Sequence, residues 1–217
     1  EHIERNKKMK RWISGILGLL VLLSVIVFIR TYNAIMKPNT MITNDSEVSL
    51  YIHSDDDFET IKNKLYSDSV IINRRSFEWL AKKLDYPKYI KSGHYVIKDG
   101  MNNNQLLNML RSGNQIPIDF TFNNIRTIEQ FAKEADDQLE LDSLSILKAL
   151  NEDSLLKEMG FKKESFASLF IPNTYELYWN INPKDFIEKM TNEYKKFWND
   201  TRLQKAKEIN LTPIEVS

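Results

Sequence analysis

Cysteine is missing from all 217 residues. Its absence excludes disulfides, thiolate zinc sites and a cysteine nucleophile together, without fixing the compartment. Histidine is scarce: His2, His53 and His94 lie far apart in sequence. No ligand spacing links them, so neither a metal site nor a cofactor is expected. Glu47, Asp99 and the run Asp55-Asp56-Asp57 read as solvated caps and turns rather than as a cation site. An excess of one charge is also lacking. Thirty basic residues balance thirty acidic ones, which removes the electrostatic argument for nucleic acid.

What the chain does have is a long apolar run. Trp12 to Ile29 holds 18 residues without a formal charge, about 27 Å at helical rise and close to the thickness of a bilayer's hydrocarbon core. Arg5, Lys7, Lys8, Lys10 and Arg11 precede it, and only Arg30 and Lys37 follow closely. The bias predicts a cytoplasmic tail over 1–11, a transmembrane helix over 12–30 and the bulk of the chain on the far side. A cleaved signal peptide would have a shorter apolar core and a small-x-small exit; here the run leaves through Phe28-Ile29-Arg30-Thr31-Tyr32. A buried soluble helix is not the expectation, since the run has no polar face.

Residues 31–46, with Pro38 and a polar run, read as a linker. Val48, Leu50 and Ile52 alternate with Ser49, Tyr51 and His53, which is strand period. Asp55 to Asp57 can cap a helix with Phe58, Ile61 and Leu65 inward. A second helix starts near Ser76 with Phe77, Leu80, Ala81 and Leu84 on one stripe, and Tyr86-Pro87 ends it. Ser92-Gly93 is a turn before a strand over His94 to Lys98. Asn103 or Asn104 caps a third helix carrying Leu106, Leu107 and Leu110, closed by Gly113. Ile116, Ile118, Phe120 and Phe122 alternate as a strand that Pro117 restricts to an edge or an irregular start.

The remainder reads as mostly helical. Thr127 to Gln130 is a capping box before Phe131, Ala132 and Ala135. Ser143 opens a helix with Ile146, Leu147 and Leu150. From Pro183, Phe186, Ile187, Met190, Tyr194, Phe197 and Trp198 form a stripe best read as core. Thr212-Pro213-Ile214-Glu215 is a second capping box, with proline at the first helical position. An isolated helix needs about 12 residues or more, so this start is expected to belong to a longer protein that continues past Ser217.

Unusual residues concentrate in Phe170-Ile171-Pro172-Asn173-Thr174-Tyr175-Glu176-Leu177-Tyr178-Trp179-Asn180. Tyr175, Tyr178 and Trp179 offer flat apolar faces for sugar rings, and Asn173, Thr174 and Glu176 offer hydrogen bonds for sugar hydroxyls. On the residues alone, a proline turn with a capping Asn-Thr pair and buried aromatics is the better fit.

Pro172-Asn173-Thr174-Tyr175-Glu176, preceded by Leu169-Phe170-Ile171, resembles the Leu-Phe-Pro-Asp-Thr-Tyr signature of the YceG-like (MltG) family, the endolytic murein transglycosylases. Ser92 to Ile97, Gly100-Met101 and Leu106 to Gly113 resemble that family's LysM-like subdomain. Asn180, Phe186, Phe197-Trp198-Asn199, Arg202 and Leu211 to Val216 resemble its Bacteroidetes-type members. The chain departs from the pattern at Ala167-Ser168, where the family commonly has Glu-Gly, and at Asn173, where it usually has Asp.

The resemblance implies an α+β fold: one N-terminal transmembrane helix, a LysM-like β-α-α-β-α subdomain over 47–115, and a mostly helical start of the catalytic domain over 116–217. It implies cleavage of MurNAc–GlcNAc bonds in peptidoglycan to give 1,6-anhydro-MurNAc ends during cell-wall assembly. Asn173, Thr174, Tyr175 and Glu176 are then the expected substrate-binding residues. The family's catalytic glutamate follows the segment matched by Leu211 to Val216. It is therefore expected beyond Ser217, and no catalytic residue is expected among the residues of this sequence. The implied location is the inner membrane, N-terminus cytoplasmic and bulk periplasmic. The implied partners are peptidoglycan strands and cell-wall synthases. The other expectation is a non-catalytic anchored module that binds or scaffolds glycan.

Overall fold

The computed structural model describes residues 2–43, 46–123, 125, 127–150 and 168–216. Side chains are described from Trp12 onward, so those of the basic residues before it lie outside the description, and Ala167 and Ser217 lie outside the described residues. Among the described residues helices predominate, with two small sheets. The order is α1 (His2–Met36), β1 (Glu47–Ile52), α2 (Phe58–Ser67), α3 (Arg74–Lys83), β2 (Gly93–Lys98), α4 (Asn103–Ser112), β3 (Ile118–Phe122), α5 (Ile128–Gln138), α6 (Ser143–Leu150), β4 (Asn173–Leu177), α7 (Pro183–Phe197), α8 (Asp200–Glu208) and α9 (Pro213–Val216).

Within α1, Trp12–Met36 has a mean hydropathy of 2.7 in its most apolar window, and none of that window is buried. A helix apolar on all sides requires an apolar surrounding. α1 is long and apolar enough to cross a membrane.

The chain divides into two compact units. The first comprises 1–50, 56–91 and 96–114; the second comprises 51–55, 92–95 and 115–217. β1 and β2 form a two-stranded sheet.

The first unit follows the expected β-α-α-β-α order. Asp57 caps α2 by accepting from the Thr60 N–H at 2.7 Å. Phe58, Ile61 and Leu65 are buried, as are Phe77, Leu80 and Ala81 on α3 and Leu106, Leu107 and Leu110 on α4. Gly113 ends α4 in the left-handed region, at φ 73°, where glycine avoids the Cβ clash. α3 begins earlier than Ser76, because Asn73 supplies the cap. The cap of α4 is Asn102, in a reciprocal box with Gln105, rather than Asn103 or Asn104.

Asn103 is instead buried at 1 % exposure. Its amide donates to the Ala34 carbonyl at 2.8 Å and to Ser76 Oγ at 3.0 Å, and its Oδ1 accepts from Asn39 at 2.7 Å. The segment expected as a linker is thereby built into the unit. Asn39 and Thr40 donate backbone N–H bonds to the Met101 carbonyl, and Met41 donates to that of Val70.

The second unit is organised around the antiparallel pair β3–β4. Ile118 faces Leu177, Phe120 faces Tyr175 and Phe122 faces Asn173. Phe120, Phe122, Tyr175 and Leu177 turn inward and join Phe131, Phe170, Phe186 and Met190 in one core. Phe131 stacks on Phe170 with centroids 3.6 Å apart and on Phe186 at 5.5 Å. β4 lies where the sequence suggested a turn within mostly helical chain. Its two inward residues are too few to announce strand period, and its partner is distant in sequence. At the end of α7, Asn199 caps α8, and Arg202 donates to the Phe197 carbonyl at 2.7 Å while lying 4.2 Å from its ring centroid. These contacts give Phe197, Asn199 and Arg202 a structural task.

Candidate functional site

Strand alternation in β4 sends Thr174 and Glu176 to one face and Asn173 and Tyr175 to the other, with Asn173 exposed at the start of the strand. Asn173, Thr174 and Glu176 are exposed, and Tyr175 is buried. The register aligns Thr174 with Thr121 and Glu176 with Asp119 on the outward face of β3. The two threonine hydroxyls share a hydrogen bond of 2.8 Å. Tyr178 continues the same alternation and is exposed. The ribbon therefore presents a strip of hydroxyls and carboxylates ending in an aromatic ring. Asn173 Oδ1 accepts from the following Thr174 N–H at 2.8 Å, which fixes the start of the strip.

Tyr175 supports this face from below. Its ring stacks on Phe122, centroids 5.7 Å apart, and its hydroxyl donates to the Ile171 carbonyl. Burial, with the nearby Glu193 carboxylate as a second cause, pushes the phenol up to about 12. The hydroxyl is protonated and committed to the backbone, so Tyr175 positions the strip rather than lining it. Gln138 covers the outer edge of β3 in the manner of an added strand. Its amide accepts from the Thr121 N–H at 3.0 Å and donates to the Thr121 carbonyl at 2.8 Å. This satisfies an edge that would otherwise recruit another chain.

One residue beyond Tyr178, a second group forms within the same unit. Tyr51 stacks on His94 at 4.6 Å and meets Trp179 edge-on at 5.0 Å, and His53 meets Trp179 edge-on at 4.8 Å. Trp179 is the buried centre of this group, at 7 % exposure, while Tyr51 remains 39 % exposed. Glu140 lies beside it. Its carboxylate accepts from the Ser54 backbone N–H and, at 3.1 Å, from the Ser54 hydroxyl, and His53 Nδ1 is 3.6 Å away. The Glu140 N–H donates to the Trp179 carbonyl at 2.8 Å. Asn180 closes the group by donating to the Ser92 carbonyl at 3.0 Å and to its hydroxyl at 2.9 Å. Gly93, at φ 144°, leaves room for Gln115, whose side chain occupies the place a Cβ would take.

Of the sequence candidates, Trp179 and Asn180 belong to this aromatic group, Thr174, Glu176 and Tyr178 belong to the strip, and Asn173 is exposed at the start of β4 on the other face. Tyr51, His53, His94 and Glu140 were not singled out. The signal for Tyr51 and His53 was present, since both fell on the non-core face of β1. Glu140 carried none. The catalytic glutamate was expected beyond Ser217, and Ser217 itself lies outside the described residues. α9, the helix that would lead to it, is described over Pro213–Val216. Among the described residues no set of three or more His, Cys, Asp or Glu side chains could hold a metal ion.

Residues 50–217 match the profile of the YceG-like family. The chain belongs to the YceG-like family. A solved structure, that of a yceG-like protein of Listeria monocytogenes, is 16 % identical, with a TM-score of 0.42 over 77 % of this chain. That match covers 60 % of the Listeria protein's own length. No curated protein matches the sequence. The outward strip and the aromatic group both fall inside the YceG-like match.

Proposed function

We propose that this YceG-like chain forms the membrane-proximal and glycan-binding parts of an endolytic peptidoglycan lytic transglycosylase. The reading is carried by the YceG-like match over 50–217 together with the outward Thr174-Glu176 strip and the exposed Asn173 at the start of its strand, whose polar groups and neighbouring Tyr178 suit a saccharide. In this reading Asn173, Thr174 and Glu176 hold the glycan, and Tyr175 holds the strip. α1 is a single membrane pass with its N-terminus cytoplasmic, and the two units are periplasmic. The β-α-α-β-α order of the first unit supports a LysM-like role in strand binding. Peptidoglycan strands are the partner, and cell-wall synthases are the enzymes beside which such a cutter would act.

The chemistry is the breaking of the MurNAc–GlcNAc bond without water as nucleophile. A carboxylic acid protonates the leaving oxygen and, as carboxylate, accepts the proton of the sugar's own 6-hydroxyl, which closes the 1,6-anhydro ring. One carboxyl group serves both steps, where ordinary glycosidases use two. Glu176 is assigned to binding, and the proton donor is the family's glutamate that follows the helix begun at Thr212.

The full-length protein incubated with purified sacculi is expected to release fragments with 1,6-anhydro ends, read by mass spectrometry. Fragments with only reducing ends would remove the reading. Glu176→Gln is expected to raise KM about tenfold with little change in kcat, the loss of one charge-assisted hydrogen bond. Loss of turnover with folding and affinity intact would instead make Glu176 the acid. A second reading, a non-catalytic glycan-binding module, is favoured by the Tyr51–His53–Glu140 group; it is the outcome if sacculi are bound but never cut.

A further inference from the structure

The first unit contains an open cavity of about 330 Å³ beside the last turns of α1. Arg30, Asn33 and Lys37 line one side of it, and Asn73 and Ser76 at the start of α3 line the other. Residues 30, 33 and 37 fall on one helical stripe, so the two cations are presented to the same space. None of the lining residues is acidic. Among the described residues, neither Arg30 nor Lys37 is paired with a carboxylate. Ile72, 58 % exposed, forms part of the rim. The floor is rigid: Asn39 accepts from the Asn73 N–H at 2.7 Å and donates to Asn103 at 2.7 Å.

The place of this cavity along α1 says what it holds. Arg30 is the first charge after the apolar run that ends at Ile29. Lys37 lies about 10 Å further along at helical rise. The headgroup zone of one leaflet is about 5–8 Å deep, half the difference between the whole bilayer and its hydrocarbon core. A cavity running from Arg30 to Lys37 therefore opens at headgroup depth at its Arg30 end and reaches just past it at Lys37, and Ile72 on its rim suits the start of an acyl chain. We propose that this cavity is a binding site for the phosphodiester headgroup of an anionic phospholipid. The proposal rests on α1 spanning the membrane and is independent of glycan chemistry. Arg30 and Lys37 supply charge, the side-chain amides of Asn33 and Asn73 supply donors for the phosphate and glycerol oxygens, and the lipid joins the first unit to its bilayer.

The test uses the full chain in phosphatidylcholine nanodiscs containing a minor share of phosphatidylglycerol. After release into detergent, bound lipid is counted by native mass spectrometry. One phosphatidylglycerol is expected to stay bound, with about thirtyfold preference over phosphatidylcholine, a factor set by about 1 kcal/mol for each of two basic side chains. Arg30→Gln with Lys37→Gln is expected to abolish the preference while leaving the circular dichroism unchanged. Asn33→Trp, which fills the cavity without altering charge, is expected to reduce it to the same extent. A preference surviving Asn33→Trp would mean diffuse surface charge and would overturn the cavity. Inorganic phosphate bound equally well in neutral nanodiscs would reassign the site to a free anion. Extraction of the chain from vesicles by alkaline carbonate would remove the membrane pass and this proposal with it. An inserted chain without anionic preference would remove the lipid site alone.

Discussion

Three consecutive asparagines, Asn102, Asn103 and Asn104, do three different things. Asn102 caps α4, Asn103 is buried among Asn39, Ser76 and Ala34, and Asn104 accepts from Asn108 on the surface. Each step along a helix turns the side chain by about 100°, so neighbouring residues of one type meet different surroundings. That is why the sequence could locate the helix start to within a residue or two and could not assign the roles. The buried role carries the energy. Asn103→Ala leaves the Ala34 carbonyl without that donor and takes a partner from Asn39, each inside the unit. A buried polar group without its partner costs about 1–3 kcal/mol. We expect a loss of about 2–4 kcal/mol in urea unfolding for Asn103→Ala and less than about 0.5 kcal/mol for Asn104→Ala. Equal effects would mean that the network is not what holds this corner.

Helices were legible as elements because their caps and stripes are local. The Asp57 and Thr127 caps, the Thr212 box and the Gly113 stop all form where their residues announce them. β4 was not legible, because a strand of five residues is defined by its partner, and β3 is remote in sequence. The outward placement of Thr174 and Glu176 therefore had to come from the register. The caps also carry a pH dependence. Hydrogen bonding from the Thr60 N–H, then from its hydroxyl, holds the Asp57 carboxyl below its ordinary value of 3.8. Thr212 does the same for Glu215, again through its backbone N–H first. A carboxyl lowered by folding adds stability above its unfolded pKa, and that stability is lost as pH falls through the folded value. The melting temperature is therefore expected to fall below about pH 4. Asp57→Asn keeps a capping oxygen without a titrating group, so it should leave the melting temperature at pH 7 nearly unchanged and flatten part of the acid slope. An unchanged slope would move the titration to other carboxyls.

For the whole molecule, the deciding feature is how α1 enters the first unit. Pro38 and the polar run after it read as a linker, since composition reports polarity and not hydrogen bonding. The backbone tells otherwise. Asn39 and Thr40 bond to Met101, Met41 to Val70, and Ile72 and Gly100 donate back to the Asn39 and Thr40 carbonyls. Pro38 pairs with Asn102 and Thr40 with Ile71 as isolated bridges. The carbonyl of Ala34, near the end of α1, is bonded by Asn103. A segment bonded in this way opens only when its surroundings open, whereas a tether is already open. In the full chain reconstituted into vesicles, the amides of Asn39, Thr40 and Met41 are thus expected to exchange with deuterium at least about a hundredfold more slowly than unstructured peptide, a protection of nearly 3 kcal/mol. Asn103→Ala should raise their exchange, because it removes the side chain that holds both Asn39 and the end of α1. Exchange at the unstructured rate in the native chain would restore a flexible tether. It would also leave the cavity between α1 and α3 without a fixed floor.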